Sequence, residues 1–235
     1  MNLQDINDAL GRWSGFELKR YQYSFDDARR ALFSNHQITR VLDCGANQGQ
    51  WTARFKSTIS PLIRIDCFEP HEQAVSVLKS RYQFDQTVII HHTALSDFEG
   101  TAKLFLSSNS GMSSSLLSPR RHLTSYPSIS FNTSEICSVS KLDSYFEPGQ
   151  SYYLKLDVQG SELNILSAAN QTLQATRIIE IELSLTGEMY ELESTPGKVL
   201  NHLEKHGFRV YSLSDTARSS NGNCSYIDAL LENRN

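Results

Sequence analysis

Short apolar runs typical of buried strands alternate along this chain with stretches of helical periodicity, and this alternation constrains the fold more than any other feature. In the first half, strands are predicted at 40–43, 63–68 and 87–91, with helices at 49–57 and 71–81 between them. Such alternation is typical of a parallel sheet, because each helix returns the chain across one face of the sheet. We therefore expect an α/β fold, with a Rossmann-like, mostly parallel sheet of about seven strands and helices on both faces.

The pattern changes in the middle of the chain. Residues 102–106 have the character of an edge strand, and the serine-rich run at 107–118 has no core pattern, which predicts a loop. A long loop inside a compact domain is usually a lid or a binding loop, so we expect this one to close over a substrate with Ser113, Ser114 and Ser115. A disordered connector is the alternative.

The alternation returns in the second half of the chain. Four further strands and two helices are predicted there, with strands at 152–157, 177–184, 208–213 and 225–231 and helices at 161–169 and 197–206. No crossover helix fits between the last two strands, so we expect them to pair antiparallel.

The N-terminal part of the chain has a helical pattern that precedes the first strand. Phe25, Ala28 and Leu32 fall on one face of a helix there. We therefore expect residues 1–37 to form an N-terminal helical extension or lid, and residues 38–235 to form the α/β domain.

Composition and charge narrow the classes of partner. The chain has 235 residues, 39% of them hydrophobic, and a net charge of −4, so tight electrostatic binding to nucleic acid is not expected. Its start has no apolar leader, and no run approaches the ~18 apolar residues of a membrane span. Its four cysteines lie outside metal-binding spacings, which favours a reducing compartment. We therefore expect a cytoplasmic protein without a nucleic acid partner or a membrane span, with a homo-oligomer as a possible assembly.

A glycine loop follows the first predicted strand, where open α/β sheets bind their ligands. Gly45 suits a tight turn that brings a ligand near the backbone, and Gly49 begins a helix whose N-terminal amides face that ligand. A dinucleotide fingerprint has its second glycine two residues after the first, where this chain has Asn47. Asp43, directly before the loop, would repel a pyrophosphate and suits a cationic group such as an amino-acid ammonium.

Glu69, at the end of the second predicted strand, is the other feature of this edge. An acid at about this distance beyond a glycine loop accepts hydrogen bonds from ribose hydroxyls. A helix cap is the alternative role for it. Together with the loop, Glu69 indicates a ligand with a ribose and a positive end but no phosphate chain, and S-adenosylmethionine has that shape.

Four stretches together resemble the class I S-adenosylmethionine-dependent methyltransferases, and within that class the FkbM family. They are Asp43-Cys-Gly-Ala-Asn-Gln-Gly49, Phe68-Glu-Pro70, Thr93-Ala-Leu-Ser-Asp97 and Leu154-Lys-Leu-Asp-Val-Gln-Gly-Ser-Glu162. The last stretch is the most specific, because the wider class does not share it. The resemblance covers residues 38–213, and Cys44 departs mildly from a position where an aliphatic residue is more usual.

The resemblance implies methyl transfer from S-adenosylmethionine to an oxygen, often a hydroxyl of a sugar, a glycan or a small natural product. It implies that the glycine loop holds the methionine part, that the acid of the second motif holds the ribose, and that the third motif lies near the adenine. With Asp43 added by its charge, the predicted cofactor-binding residues are Asp43, Gly45, Ala46, Asn47, Gly49, Glu69, Pro70, Ala94, Leu95 and Ser96.

Acids at the ends of later strands are the candidates for catalysis, because a hydroxyl is a poor nucleophile without a base or a metal ion. Asp157 ends a strand and is our predicted base or metal ligand, although bonding to the amides of the next loop is its alternative role. Glu182 shares a strand face with Glu180 and lies nearer the carboxyl end. It could join Asp157 around a divalent ion, or simply form salt bridges.

The remaining titratable groups have weaker signals. Glu162, in the first turn of a predicted helix, suits the helix dipole. His91, His92 and His122 are spare bases, for which a structural role is the commoner outcome.

Three alternatives remain open. A nicotinamide-dependent oxidoreductase would share the Rossmann-like sheet, but the missing middle glycine and the antiparallel last pair disfavour it. A nucleic-acid or protein methyltransferase is the second, although base N-methylation usually goes with an Asn/Asp-Pro-Pro-Tyr motif where this chain has Asp157-Val-Gln-Gly160. The third is a binding module that kept the fold without catalysis.

Overall fold

The computed structural model describes residues 24–218 and 224–234, so the helical content expected of residues 1–23 lies outside the described residues. The strands of its main sheet are β1 (Arg40–Cys44), β2 (Arg64–Phe68), β3 (Val88–His91), β7 (Tyr152–Leu156), β8 (Thr176–Ser184), β9 (Phe208–Leu213), β10 (Ala217–Arg218) and β11 (Cys224–Asn233). A smaller sheet is formed by β4 (Ala94–Leu95), β5 (Gly100–Leu106) and β6 (Thr133–Ser140).

The helices in this part of the chain mostly agree with the predicted ones, within the residue or two by which helix ends ordinarily differ. They are α1 (Phe25–Asn35), α2 (Gln50–Thr58), α3 (Glu72–Arg81), α4 (His122–Ser125), α5 (Glu162–Ser167), α6 (Asn170–Ala175) and α7 (Pro196–Lys205), with a 3-10 turn at Leu142–Tyr145. The helix predicted at 161–169 corresponds to α5, which ends at Ser167, whereas α6, which begins three residues later, was not predicted. None of the described helices is both long enough and apolar enough to cross a membrane.

The main sheet follows the order β3-β2-β1-β7-β8-β11, and both β9 and β10 pair with β11. The first five strands of that order run parallel, whereas β11 is antiparallel to β8 and β9. The predicted Rossmann-like, mostly parallel sheet with an antiparallel last strand is therefore confirmed. Because β1 lies between β2 and β7, their carboxyl ends meet at one edge, where Cys44 is level with Phe68 and Leu156.

Helices cover both faces of this sheet, as expected. On one face, Ala28, Phe55 and Leu78 from α1, α2 and α3 join one buried cluster. On the other face, Ile165 and Leu203 from α5 and α7 join a second cluster. Burial on both faces explains why β1 and β7 are buried along their whole length, as is usual for central parallel strands.

The predicted edge strand at 102–106 is an edge strand of the smaller sheet rather than of the main one. It forms β5, which pairs antiparallel with β6. Only Leu104 of β5 is buried, so this strand cannot fill a position between two layers of helices. Leu104 instead packs with Ala94, Cys137 and Val139 in a small cluster of its own.

Helix α1 is attached to the sheet by a buried ion pair. The helix begins with a capping box, in which Ser24 and Asp27 bond each other's backbone amides. Its buried Arg29 donates two hydrogen bonds to the carboxylate of Glu180 on β8, Nε to Oε2 at 2.8 Å and Nη2 to Oε1 at 2.6 Å. Trp51 and Tyr153 donate to the same carboxylate. The boundary predicted at residue 37 stays a prediction.

Candidate active site

A cavity of about 480 Å³ lies at the carboxyl edge of the parallel strands, within the usual size range of small-molecule sites. The glycine loop after β1, the end of β2, the short β4, the serine loop, α4 and the ends of β7 and β8 contribute to its walls. Twelve of the predicted site residues line it, namely Gly45, Ala46, Asn47, Glu69, Pro70, Ala94, Leu95, Ser113, Ser114, Ser115, Asp157 and Glu182.

Three predicted residues, Asp43, Gly49 and Ser96, are not among the described residues that line the cavity. Ser96 is buried, and its backbone amide donates to the carbonyl oxygen of Ser140 on β6. Its hydroxyl donates to Oδ1 of Asp97 at 3.1 Å, while Ala94 and Leu95 contact the cavity.

The two glycines of the loop are required by the protein's own packing. Gly45 has a φ of 83°, and a Cβ there would lie 1.9 Å from the backbone oxygen of Asp157. Gly49, with a φ of 79°, precedes α2 as its N-cap, and a Cβ there would lie 2.6 Å from Cδ1 of Leu78. Each glycine thus allows a close approach between neighbouring elements, in a backbone region that side-chain-bearing residues rarely adopt.

Asn47 joins the glycine loop to two other parts of the cavity wall. Its φ is 47°, a left-handed conformation that asparagine tolerates better than most residues. Its backbone amide donates to Oε2 of Glu69 at 2.8 Å, and its side-chain amide donates to the carbonyl oxygen of Ser110 at 3.1 Å. Asn47 therefore holds the glycine loop against both the end of β2 and the serine loop.

Glu69 is buried on the cavity wall and bonds the backbone of two neighbouring segments. Its carboxylate accepts the backbone amide of Asn47 and that of His71, the N-cap of α3, each at 2.8 Å. Burial raises the pKa of this carboxyl. Since each carboxylate oxygen has two lone pairs, the two amides leave acceptor capacity for a ligand.

Asp43 lies behind the described cavity lining, whereas its charge had suggested a position facing the ligand. It is fully buried, accepts a hydrogen bond from Oγ1 of Thr52 at 2.6 Å, and has Nζ of Lys155 at 3.2 Å. The two charged residues are level with each other in the pairing of β1 and β7. Asp43 therefore balances a buried cation of the protein itself.

Lys155 lines the cavity and was missed by the sequence reasoning. Its Nζ also donates to the carbonyl oxygen of Gly45 at 3.0 Å and lies 3.5 Å from Oδ2 of Asp157. Burial acts to lower the pKa of Lys155, but the carboxylates of Asp43 and Asp157 outweigh it and raise that pKa above its usual value. The available signal was a lysine inside an otherwise apolar strand, Tyr152–Leu156, because a buried charge requires a partner.

Gln159 holds the two predicted catalytic acids together. Its Nε2 donates to Oδ1 of Asp157 at 2.9 Å and to Oε2 of Glu182 at 2.8 Å. Burial and the negative charges of Asp157 and Asp228 raise the pKa of Glu182 well above its ordinary value.

The geometry around these acids bears on the predicted metal site. Among the described residues, no group of three or more His, Cys, Asp or Glu side chains is arranged to hold a metal ion. Asp157 already has the ammonium of Lys155 and the amide of Gln159 as neighbours. Binding of a divalent ion by Asp157 and Glu182 stays a prediction. The described residues offer no third protein ligand for it.

Glu162 has the structural role that the sequence left open for Asp157. Its Oε1 accepts the backbone amides of Val158 and Gly160, both at 3.1 Å. Burial raises the pKa of Glu162 to about 7. This carboxyl therefore shapes the turn that carries Gln159, whose φ is 58°.

The serine loop is hydrogen-bonded to the same turn. Oγ of Ser115 donates to the carbonyl oxygen of Gln159 at 2.8 Å. The hydroxyl of Tyr190 donates to the carbonyl oxygen of Ser113 at 2.7 Å and lies 3.2 Å from Oε1 of Gln159. The loop is thus an ordered wall of the cavity, in contact with the residues that position the two acids.

The three spare histidines have different surroundings. Nε2 of His91 lies 2.8 Å from Oδ1 of Asp66, and its ring stacks on Phe68. Nε2 of His92 lies 3.0 Å from the carbonyl oxygen of Pro70. Only His122 of the three lines the cavity, and it is buried there.

This is a Rossmann-like α/β protein with a cavity at the carboxyl edge of its parallel sheet, where such folds bind ligands. The glycine loop and the acid at the end of β2 line that cavity. Residues 43–210 match the family model described as the methyltransferase FkbM domain. Because this match covers more than half of the chain, the chain belongs to the FkbM methyltransferase family, and the resemblance found in its motifs is confirmed.

A curated relative is the 2-O-methyltransferase NoeI of Sinorhizobium fredii, strain NBRC 101917 / NGR234. It is 28% identical over 160 residues, a match that covers 64% of this chain and 65% of NoeI. The chain therefore spans somewhat less than two thirds of the relative that it matches.

Solved structures of methyltransferases share the fold. The methyltransferase FkbM from Methylobacillus flagellatus KT superposes with a TM-score of 0.50 at 14% identity, over 83% of this chain and 43% of that one. A putative rRNA-methylase from Clostridium thermocellum also gives a TM-score of 0.50 at 14% identity, over 91% of this chain and 97% of that one. At this identity, the likeness shows the Rossmann-like fold alone.

Proposed function

We propose that this chain is an S-adenosylmethionine-dependent O-methyltransferase whose acceptor is a hydroxyl of a sugar, a glycan or a small natural product. The observation that carries the proposal is the position of Glu69 on the cavity wall, bonded to the glycine loop. A carboxylate at the end of the second strand of such a sheet accepts hydrogen bonds from ribose hydroxyls. Membership of the FkbM family and the likeness to a 2-O-methyltransferase support transfer to oxygen.

The parts of the cofactor have proposed neighbours along the cavity. Glu69 would accept the ribose hydroxyls, and the apolar Ala94 and Leu95 would contact the adenine. Gly45 and Asn47 would lie along the methionine part, at the start of the loop that leads into α2. When bound, the cofactor supplies an activated methyl group on a positively charged sulfur.

The positive charge of the cofactor needs a carboxylate that reaches the cavity. Asp43 is paired with Lys155 beneath the cavity surface, whereas the side chain of Asp157 is 37% exposed and lines the cavity. We infer that Asp157 and Glu182, bridged by Gln159, form the acidic side of the site. There they would orient the acceptor hydroxyl and balance the positive end of the cofactor.

A nicotinamide dinucleotide is the competing ligand. Its pyrophosphate would lie on the glycine loop, in a cavity that Glu69 and Asp157 both line. Like charges repel strongly in a partly buried site, so the acids disfavour this ligand. The net charge of −4 likewise disfavours a nucleic acid acceptor.

Methyl transfer is tested with methyl-labelled S-adenosylmethionine and a panel of methyl glycosides, oligosaccharides and small hydroxylated metabolites. We expect label in at least one hydroxylated acceptor, and a parallel reaction with a chelator tests whether a divalent ion contributes. Tight binding of NAD(H) together with an absence of S-adenosylhomocysteine binding would contradict the proposal.

A further inference from the structure

We propose that His122 is the residue that removes the proton from the acceptor hydroxyl. This inference rests on the proposed O-methyl transfer, since it names the base of that reaction. His122 begins the short helix α4. The residue is 2% exposed and lines the cavity that Asp157, Gln159 and Glu182 also line.

The backbone around His122 is held in place by the segment that follows β8. The amides of Arg120 and His122 both donate to the carbonyl oxygen of Met189, at 2.8 Å and 3.2 Å. Pro119 forms an isolated bridge with Tyr190, the residue whose hydroxyl lies beside Gln159. The helix that carries His122 is therefore tied to the same framework as the acids.

The imidazole of His122 is packed among aromatic rings. Tyr126, Phe131 and Tyr190 surround it, with ring centroids at 5.0, 5.1 and 5.6 Å. Its Nδ1 is buried without a hydrogen-bond partner among the described residues. A buried polar group left unpaired calls for an explanation, and a catalytic role is one of the recognised ones.

Burial and the groups around His122 keep its imidazole available as a base. The titratable groups that face it are Tyr126 at the end of its own helix and Tyr190 from the segment after β8, with Tyr226, Asp157 and Glu182 on the same cavity. Burial lowers the pKa of His122 and raises those of Tyr190 and Tyr226. The imidazole is thus neutral at neutral pH and able to accept a proton, and the tyrosines stay protonated.

Asp157 is less suited to this step than His122. Its carboxylate lies between the ammonium of Lys155 and the amide of Gln159, so its oxygens already have donors within the protein. In the proposed step, the hydroxyl oxygen bonds to the methyl carbon as the sulfur–carbon bond breaks, and the electron pair of that bond stays on sulfur. The hydroxyl proton passes to a ring nitrogen of His122, and the imidazolium then releases it to water.

The test compares wild type with His122→Gln and His122→Ala, using as acceptor the methyl glycoside that gives the highest transfer in the panel. We expect kcat to fall by about 100-fold or more, which is the usual contribution of a general base, with S-adenosylhomocysteine affinity unchanged within a factor of three. The acidic limb of the kcat–pH profile should disappear in His122→Gln, and added imidazole should restore part of the activity of His122→Ala. His206→Gln is the matched control. His206 lies at the far end of α7, where its ring bonds to the carbonyl oxygen of His202.

A second measurement needs no acceptor. NMR titration of the full chain, with the imidazole signal of His122 assigned by its loss in His122→Gln, should give a midpoint below 6.5. A higher midpoint would overturn the assignment, and so would an unchanged kcat in His122→Gln. It would also be overturned if kcat fell but the acidic limb were retained and imidazole gave no rescue. Absence of both cofactor binding and methyl transfer in wild type would instead reject the proposed function, and the base with it.

Discussion

Single carboxylates in this protein take different roles because their partners differ. Asp43 is paired with Lys155, Glu69 accepts two backbone amides, and Glu162 accepts two others. Asp157 reaches the cavity with part of its surface exposed, and Gln159 bridges it to Glu182, whose pKa is raised by burial and by the charge of Asp157. The acid type alone therefore does not indicate the role, which follows from the donors that each carboxyl group meets.

The raised pKa of Glu162 predicts how the stability of the protein depends on pH. Burial raises its folded pKa to about 7 from an ordinary value of 4.5, so the folded protein binds more protons than the unfolded chain between these values. Its contribution is therefore most favourable below about pH 4.5 and is lost as the pH rises to about 7. Glu162→Gln keeps the acceptor oxygen and removes the titration, so the stability of the variant relative to wild type should rise by about 2–3 kcal/mol across this window.

The measurement for Glu162 is urea unfolding of both proteins at several pH values from 4.5 to 8. A stability difference that does not change with pH would show that the carboxyl group titrates normally in the folded state. Glu191→Gln, on an exposed side chain, serves as the control and should leave the pH dependence of wild type unaltered.

At the scale of elements, helix α1 and the serine loop are both attached to the strand ends by side chains. Arg29 joins α1 to Glu180 on β8, two residues before Glu182. Ser115 and Tyr190 join the serine loop and the segment after β8 to the turn after β7. Elements far apart in the chain thereby determine the shape of one cavity.

Removing the anchor of α1 should destabilise the protein. Arg29→Met leaves the carboxylate of Glu180 buried without its cation, a change that costs about 3–5 kcal/mol. Adding Glu180→Gln to Arg29→Met removes the uncompensated charge and should recover part of that loss. Arg30→Met is the matched control, because Arg30 is largely exposed in its pair with Asp27 and such pairs contribute about 0–1 kcal/mol.

These stabilities are measured by denaturant unfolding at one pH. Equal losses for Arg29→Met and Arg30→Met, each below about 1 kcal/mol, would show that α1 does not depend on the buried pair.

Over the whole molecule, the sheet topology brings the acids of four strands to one edge. The central position of β1 places the ends of β2 and β7 beside the glycine loop, and β8 follows β7 in the sheet. Opposing positive charge at this edge comes from Lys155, a buried residue that lines the cavity. This arrangement favours a ligand with a positive end and disfavours one with a phosphate chain.

The element order and the Rossmann-like fold were predictable because strands with apolar runs and helices with one apolar face follow from local sequence. Twelve predicted site residues line the cavity for a related reason, since the carboxyl ends of parallel strands meet at one edge. The pairing of Asp43 with Lys155 was not predictable, because it depends on the register between β1 and β7, strands separated by most of the domain. The contact of Arg29 with Glu180 spans 151 positions in the sequence, and no local pattern reports such a contact.

Calorimetric titration with S-adenosylhomocysteine tests the central claim most directly, namely that the cavity beside Glu69 is the cofactor site. Wild type should bind one molecule per chain. Glu69→Gln should bind at least about 10-fold more weakly, since the amide has lost one acceptor oxygen for the ribose hydroxyls and the two backbone amides. Glu72→Gln, on the neighbouring exposed side chain, should bind as wild type does. Equal affinity in wild type and Glu69→Gln, or no binding by wild type, would contradict the claim.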